Sequence, residues 1–288
     1  MIALSIALLL LLVPLAVGSA ALVCFGATGK PKHGPVGLLL HTLTEKSQPH
    51  CSYYSPVKFA DLLAELSARN ARFSTVHDAS LLSPESDHSM SVVMTFDDGF
   101  ESFYTSALPR LQKYGFKTTV FPVAGYLGQR STWDTLPPQV HLTKEQVREI
   151  AALGHEIGSH TVTHANLTLL NDADLSNELS RSKSILEDIT GKSVTSLSFP
   201  FGRWNQRVWQ AARAAGYTAA TSYAGGVGYQ QGIVRLWGIY SFDSVDDVLE
   251  RAVQRPRLSN SVTRGHVMPH FAKGTPLWKF RRNYEVMR

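Results

Sequence analysis

The stretch Ser91-Val92-Val93-Met94-Thr95-Phe96-Asp97-Asp98-Gly99 decides how the rest of the chain is read. Its first six residues are apolar or β-branched without polar alternation, the pattern of a strand buried on both faces, and Gly99 marks the turn that ends it. Asp97 and Asp98 therefore stand at the C-terminal mouth of a buried strand. Neighbours on extended backbone point to opposite sides, so one carboxylate can bind a cation while the other faces a reacting centre. The alternative is that both serve as turn or cap residues ahead of a helix from Phe100 to Tyr114.

Outward from this strand the chain alternates strands and helices. Upstream, a short apolar strand ends at His41, and Ser55-Pro56 form an N-cap and N1 pair that opens a helix to about Asn70. Downstream come a strand from Lys117 to Val123 and a helix with a Thr143/Gln146 capping box running to Leu153. Gly154 stops that helix before a strand from His155 to Ser159. Leu175, Leu179, Ser182, Leu186 and Ile189 follow helical spacing. A strand at Ser196 to Phe199, a helix from Asn205 to Ala215 and a strand from Thr218 to Ser222 continue the series. Such alternation implies an α/β fold with a parallel sheet covered by helices. Polar motifs at strand C-terminal ends favour closure into a barrel, whose active sites assemble on that rim.

One of those motifs is Ser159-His160-Thr161-Val162-Thr163-His164. The two histidines are four apart, which places both imidazoles on one face if the segment turns helical after Ser159. With an Asp of the earlier pair they make three ligands. Three protein ligands leave coordination positions open, as a catalytic site does and a closed structural site does not.

TFDDG at Thr95 to Gly99, GHEIGSHTVTHANL at Gly154 to Leu167 and SFPFG at Ser198 to Gly202, in that order, resemble the successive motifs of the polysaccharide deacetylases, carbohydrate esterase family 4 with its NodB-homology domain. The resemblance covers roughly Gly37 to Val253. It implies a distorted (β/α)7 barrel and a hydrolase that removes N-acetyl groups from glycans containing N-acetylglucosamine. It also implies Asp97 as catalytic base, and Asp98, His160 and His164 as ligands of one divalent metal, zinc first, with cobalt or nickel as alternatives. The backbone N–H of Phe201 is implied as the oxyanion donor.

The chain departs from the family pattern in two places. Many members carry Arg two residues before the Pro of the third motif, where this chain has Ser198. Many also carry a late Leu-x-His that supplies a general acid, and none follows the strand near Ile239. His41 ends an early strand instead, an arrangement similar to the branch that deacetylates poly-N-acetylglucosamine. That similarity implies His41 as the acid, with His266 and His270 as competitors. Pro200, Phe201, Trp204 and Trp133, with Tyr53 and Tyr54, flank the strand exits as candidates for a sugar groove, against ordinary packing as the alternative. Trp209 and Trp237 fall in core patterns.

The chain has 288 residues, 44% hydrophobic and 18% charged, enough for one substantial core. No internal repeat or low-complexity block is evident, which disfavours a solenoid. The organisation expected is an apolar segment at 1–28, a linker at 29–36, a catalytic domain at 37–256 and a basic extension at 257–288. Ile2 to Phe25 is long enough to cross a bilayer core of about 30 Å. It reads as a membrane anchor or as a signal with small residues at Gly18, Ser19 and Ala20. Lys30 and Lys32 just beyond it argue for a cytoplasmic face, whereas a sugar-polymer substrate argues for a cell-envelope or extracellular domain.

Cys24 and Cys51 form no expected disulfide, and a thiolate mechanism lacks a partner motif. Nine Lys or Arg residues against the single acid Glu285 from Arg251 to Arg288 carry most of the formal charge of +5. That tail suits contact with anionic headgroups or an acidic polymer, or a solvated extension, and it has no nucleic-acid signature. A monomer acting on a glycan polymer is expected. The alternatives are a tethered carbohydrate-binding or assembly protein of the same fold, and a deacylase of a small or lipid-linked sugar.

Overall fold

Strand β5 (Ser91–Phe96) is buried at every residue, as its continuous apolar run requires. In the computed structural model, which describes residues 35–45, 52–82, 90–132, 138–223 and 232–252, it lies beside β1 (Val36–Leu40), itself buried throughout. The main sheet contains β4 (Arg72–Ser74), β6 (Thr119–Val120), β7 (Glu156–Ile157), β8 (Ser196–Ser198), β9 (Ala219–Tyr223) and β10 (Ile233–Gly238) as well. Its order is β7-β6-β5-β1-β10-β9-β8, with β4 off that path against β5.

Every strand pair is parallel, and an isolated parallel bridge between Ser159 and Leu197 joins the two ends of the path. The result is a nearly closed parallel sheet, in agreement with the barrel expected from the sequence. It is distorted at β5. β4 pairs with Ser91, Val92 and Val93, whereas β6 pairs with Thr95 and Phe96, so two short strands share one edge. β2 (Thr42–Leu43) and β3 (Tyr53–Tyr54) form a separate parallel pair beyond His41.

Most of the helices fall where the sequence places them, and Val76–Ser80 and Val245–Ala252 are additions to that reading. α1 (Pro56–Ala68) starts at the Ser55 cap with Pro56 at N1, and its Phe59, Leu62, Leu63 and Leu66 are buried. α2 (Val76–Ser80) is a short plug whose Val76 and Ala79 pack among the inward-facing Leu39, Val93, Phe121, Ala219, Val234 and Leu236. α4 (Lys144–Ala152) carries the full Thr143/Gln146 capping box. α5 (Asp172–Thr190) ends at Gly191, whose φ of 65° is the left-handed cap that glycine adopts without strain. α6 (Gln206–Ala214) is capped by Asn205, and α7 (Val245–Ala252) closes the described chain.

The helix expected from Phe100 to Tyr114 differs in form. It runs through a π-helical turn, Phe103–Ala107, before α3 (Leu108–Gln112). Pro109 is the physical reason: it lacks an N–H and its ring crowds the carbonyl four residues back, and a widened turn relieves both problems.

Among the described residues no helix is long and apolar enough to cross a membrane. The apolar segment at 1–28, most of the linker, Cys24, Cys51, Trp133, His266, His270 and the basic extension lie outside the described residues.

Candidate active site

Asp97 and Asp98 leave β5 at its C-terminal end, where the chain must turn sharply. Asp98 takes a φ of 66° and Gly99 one of 64°. A Cβ at position 99 would sit 2.6 Å from Pro122 Cα, so only glycine fits the second position. Asp98 has thus left extended backbone, so the simple strand alternation expected from the sequence does not continue through it.

His160 and His164 follow β7 and meet Asp98 in space. Nε2 of His160 lies 3.4 Å and Nε2 of His164 lies 3.3 Å from Asp98 Oδ1. The segment between them is a loop, which corrects the helical face expected from their spacing. Thr161 (φ 68°) and His164 (φ 60°) both sit in the left-handed region, where a non-glycine residue costs roughly 1–2 kcal/mol. Thr161 is β-branched, so its conformation is a marked outlier held by its surroundings.

The donor set fits a metal ion. The three ligand atoms lie within 4.8 Å of one another, and all three residues are buried. Asp98 Oδ1 takes no hydrogen bond although it is buried. Metal–ligand bonds of about 2.0–2.2 Å in a tetrahedron place neighbouring ligand atoms ~3.4 Å apart. His160 Nδ1 donates to the backbone oxygen of Ser198 at 2.8 Å, which leaves the Nε2 lone pair turned to Asp98. Two imidazoles and a carboxylate suit zinc or a neighbouring transition metal better than calcium or magnesium.

Asp97 stands beside this set in a different environment. Its Oδ2 accepts a 2.8 Å hydrogen bond from Ser198 Oγ, and its buried Oδ1 accepts none. Burial pushes the Asp97 carboxyl up from the usual carboxylate range and the Asp98 charge adds to this, against the pull of His160, His41 and Ser198. Burial also acts on Asp98, but the approach of both imidazoles outweighs it and holds that carboxyl well below the usual range. Adjacent carboxylates pushed in opposite directions are suited to different tasks. Burial pushes His164 down, whereas at His160 the Asp97 and Asp98 charges outweigh burial and push it up.

His41 follows β1 directly, is half-buried, and acts electrostatically on both carboxylates. Pro200 and Phe201 are buried in the turn after β8, Phe201 with a φ of 57° and its ring edge-on to His164 at 4.6 Å. Trp204 stacks on Phe199 at 5.7 Å and is half-buried against the core. Tyr54 is buried, and burial first of all pushes its hydroxyl well above the usual tyrosine range. Tyr53 accepts a 2.9 Å hydrogen bond from Gln139 at the wall of a cleft of about 370 Å³, also lined by Thr42, Glu101 and Arg130. Trp209 is in the core as expected, and Trp237 packs against it.

Three contributors were not singled out from the sequence. Ser198, noted only for lacking the family's Arg, holds both Asp97 and His160. His141 Nδ1 makes a 2.9 Å hydrogen bond with the Asp98 backbone oxygen, and burial pushes its imidazole down to about 4. Glu178 bonds the loop that carries the two histidines. The available signal for Glu178 was an acid on the apolar stripe of a helix, one residue before Leu179.

The sequence model of the polysaccharide deacetylase family matches residues 85–220. YxkH of Bacillus subtilis (strain 168), a polysaccharide deacetylase by name, is 34% identical over 146 residues, which span 50% of this chain and 49% of that protein. A chitooligosaccharide deacetylase of Bradyrhizobium sp. (strain ANU 289) is 29% identical over 45% of this chain and 54% of its own length. A peptidoglycan-N-acetylglucosamine deacetylase of Bacillus cereus is 31% identical over 41% of this chain and 39% of its own length. The chain thus matches roughly half or less of each relative.

Among solved structures, Streptococcus pyogenes deacetylase PplD shares the fold with a TM-score of 0.66 at 21% identity, covering 77% of this chain and 99% of that one. IcaB from Ammonifex degensii does so at 0.64 and 22%, covering 78% and 98%. Motif order, the convergence of Asp98 with the two histidines, and these matches agree: the chain carries a polysaccharide deacetylase domain.

Proposed function

We propose that this chain is a metal-dependent hydrolase of linear amides that removes N-acetyl groups from a polysaccharide containing N-acetylglucosamine. The observation that carries the reading is the pairing of a buried Asp98-His160-His164 cluster with an adjacent carboxylate, Asp97, held through one oxygen only. A divalent cation held by Asp98, His160 and His164 would supply Lewis-acid polarisation of a water and of the amide carbonyl. Asp97 takes the proton of the attacking water, its raised proton affinity suiting it to the task. Ser198 fixes the Oδ2 side of that carboxylate. The backbone N–H of Phe201 donates to the acetyl oxygen as it becomes an oxyanion on attack at the carbonyl carbon, a contribution of about 3 kcal/mol for one such donor. His41 delivers a proton to the departing amine, with His266 and His270 as its competitors.

A polymer is favoured as substrate because the polar cleft begins at Thr42, one residue beyond His41, and because relatives are named as chitooligosaccharide and peptidoglycan deacetylases. The domain would act in the cell envelope or outside the cell, tethered or exported through Ile2 to Phe25. The test is acetate release by the purified chain from chitin oligomers, poly-N-acetylglucosamine and peptidoglycan fragments, with and without chelator. Release from at least one glycan, lost with chelator and in Asp97→Asn and His160→Ala, is expected; undiminished rates in those variants would remove the proposal. A glycan-binding protein with little turnover is the second reading, favoured by Ser198 standing where related sequences carry Arg. Binding without acetate release would select it.

A further inference from the structure

We propose that Glu178 is a positioning residue for the metal site, holding the loop between His160 and His164 in the one conformation that aims both imidazoles at Asp98. This rests on the metal reading above. Glu178 is 5% exposed and projects from the buried face of α5. Its Oε2 accepts the backbone N–H groups of Val162 at 2.8 Å and Thr163 at 3.0 Å, and its Oε1 accepts the Thr163 hydroxyl at 2.7 Å. These are the two residues between Thr161 and His164, both left-handed.

A loop with two strained non-glycine residues four positions or fewer apart keeps its shape only where neighbours over-determine it. Here the carboxylate gathers two otherwise unused donors, and charged acceptors make the stronger hydrogen bonds. One helical turn further along α5, Ser182 bonds Ser159 Oγ at 2.8 Å, and Ser159 Oγ in turn accepts the Thr161 N–H at 3.1 Å. On the other side, the Thr161 and Val162 oxygens accept the Ala124 and Gly125 N–H groups, each at 2.9 Å. The loop is therefore clamped from α5 and from the β6 exit. Glu178 touches neither metal ligand nor substrate and acts only through backbone geometry.

The experiment compares zinc affinity, by competition with a chromophoric chelator, and the visible spectrum of the cobalt(II) form in wild type, Glu178→Leu, Glu178→Gln and Thr163→Val. Far-UV circular dichroism confirms folding below the melting temperature of each. Glu178→Leu is expected to weaken zinc binding by about 10–100-fold, the range for losing an outer partner of a metal ligand, and to shift the cobalt spectrum. Glu178→Gln keeps an acceptor for the two N–H groups and should recover most of the affinity. Thr163→Val removes one bond and should show a smaller loss of the same sign.

A purely structural role would lower the melting temperature while leaving affinity and spectrum unchanged in folded protein. Wild-type affinity in folded Glu178→Leu would overturn the assignment. If that variant does not fold, wild-type affinity in Thr163→Val would do so instead. Wild type that binds neither zinc nor cobalt would defeat the metal reading itself, an outcome distinct from either.

Discussion

The two ends of the parallel sheet both gather an acid, a histidine and several hydroxyls, but they spend them differently. At the N-terminal end, Glu156 accepts from Thr119 Oγ1 at 2.7 Å, from the His77 N–H at 3.1 Å and from Ser196 Oγ. Thr195 Oγ1 and His77 Nδ1 pair at 3.1 Å, and Thr119 Oγ1 also accepts the Val76 N–H at 2.9 Å. Both Glu156 oxygens are thus occupied, and the cluster seats the α2 plug. At the C-terminal end, Asp97 Oδ1 and Asp98 Oδ1 are buried without a hydrogen bond, and Asp98, Thr161, His164 and Phe201 sit in the left-handed region. The Glu156 cluster, with its carboxylate oxygens satisfied, builds a wall, whereas buried carboxylate oxygens without a hydrogen bond beside left-handed residues suit a functional site.

The largest expected effects separate these ends. Asp97→Asn should lower the rate of acetate release by about 10²–10⁴-fold, the usual worth of a positioned base, with metal content unchanged. Glu156→Leu, at the other end, should leave that rate within a factor of a few. It should instead destabilise the fold by about 1–3 kcal/mol, because three donors lose their acceptor. Denaturant melts beside kinetic assays check both; an equal loss of activity in the two variants would erase the distinction.

A smaller effect probes how Ser198 serves the site. Ser198→Ala removes the hydroxyl that holds Asp97 and keeps the backbone oxygen that orients His160. A hydrogen bond to a charged carboxylate contributes about 1.5–3 kcal/mol, so the turnover number should fall about tenfold to 100-fold while metal affinity stays put. A parallel fall in metal affinity would show that the backbone had moved.

The smallest effect is on stability and lies away from the metal. Burial pushes the His155 imidazole down to about 4, and its ring packs edge-on to Phe103. A depressed folded value means that the neutral form is favoured on folding. Its contribution is fully present above the ordinary histidine value of about 6.5 and is lost as pH falls towards 4, a span worth roughly 1–3 kcal/mol. Unfolding midpoints measured from pH 7 to pH 4 should fall less steeply in His155→Gln than in wild type; identical slopes would contradict the burial argument.

Much of this was legible in the sequence, for reasons that differ by element. β1, β5 and the capped helices announced themselves through continuous apolar runs and explicit caps at Ser55 and Thr143. The strand-exit motifs predicted that one Asp of the pair would join His160 and His164, and the family resemblance implied that it is Asp98, which the structure places beside both. The loop between the histidines was not legible as a loop, because a spacing of four suits a helix equally well. Tertiary bonds from Glu178, Ser182 and the β6 exit brace the loop in which Thr161 and His164 are left-handed. Ser198 read as a missing arginine because a serine's role depends on what lies opposite it. The π-helical turn was written in Pro109, a residue whose consequence depends on a helix continuing through it.

The most direct test of the account is the metal stoichiometry of the purified chain, by elemental mass spectrometry, beside that of Asp98→Ala and His160→Ala. One equivalent of a divalent transition metal in wild type, lost in both variants together with acetate release, is the result predicted. Metal retained at wild-type level in folded Asp98→Ala or His160→Ala would contradict it.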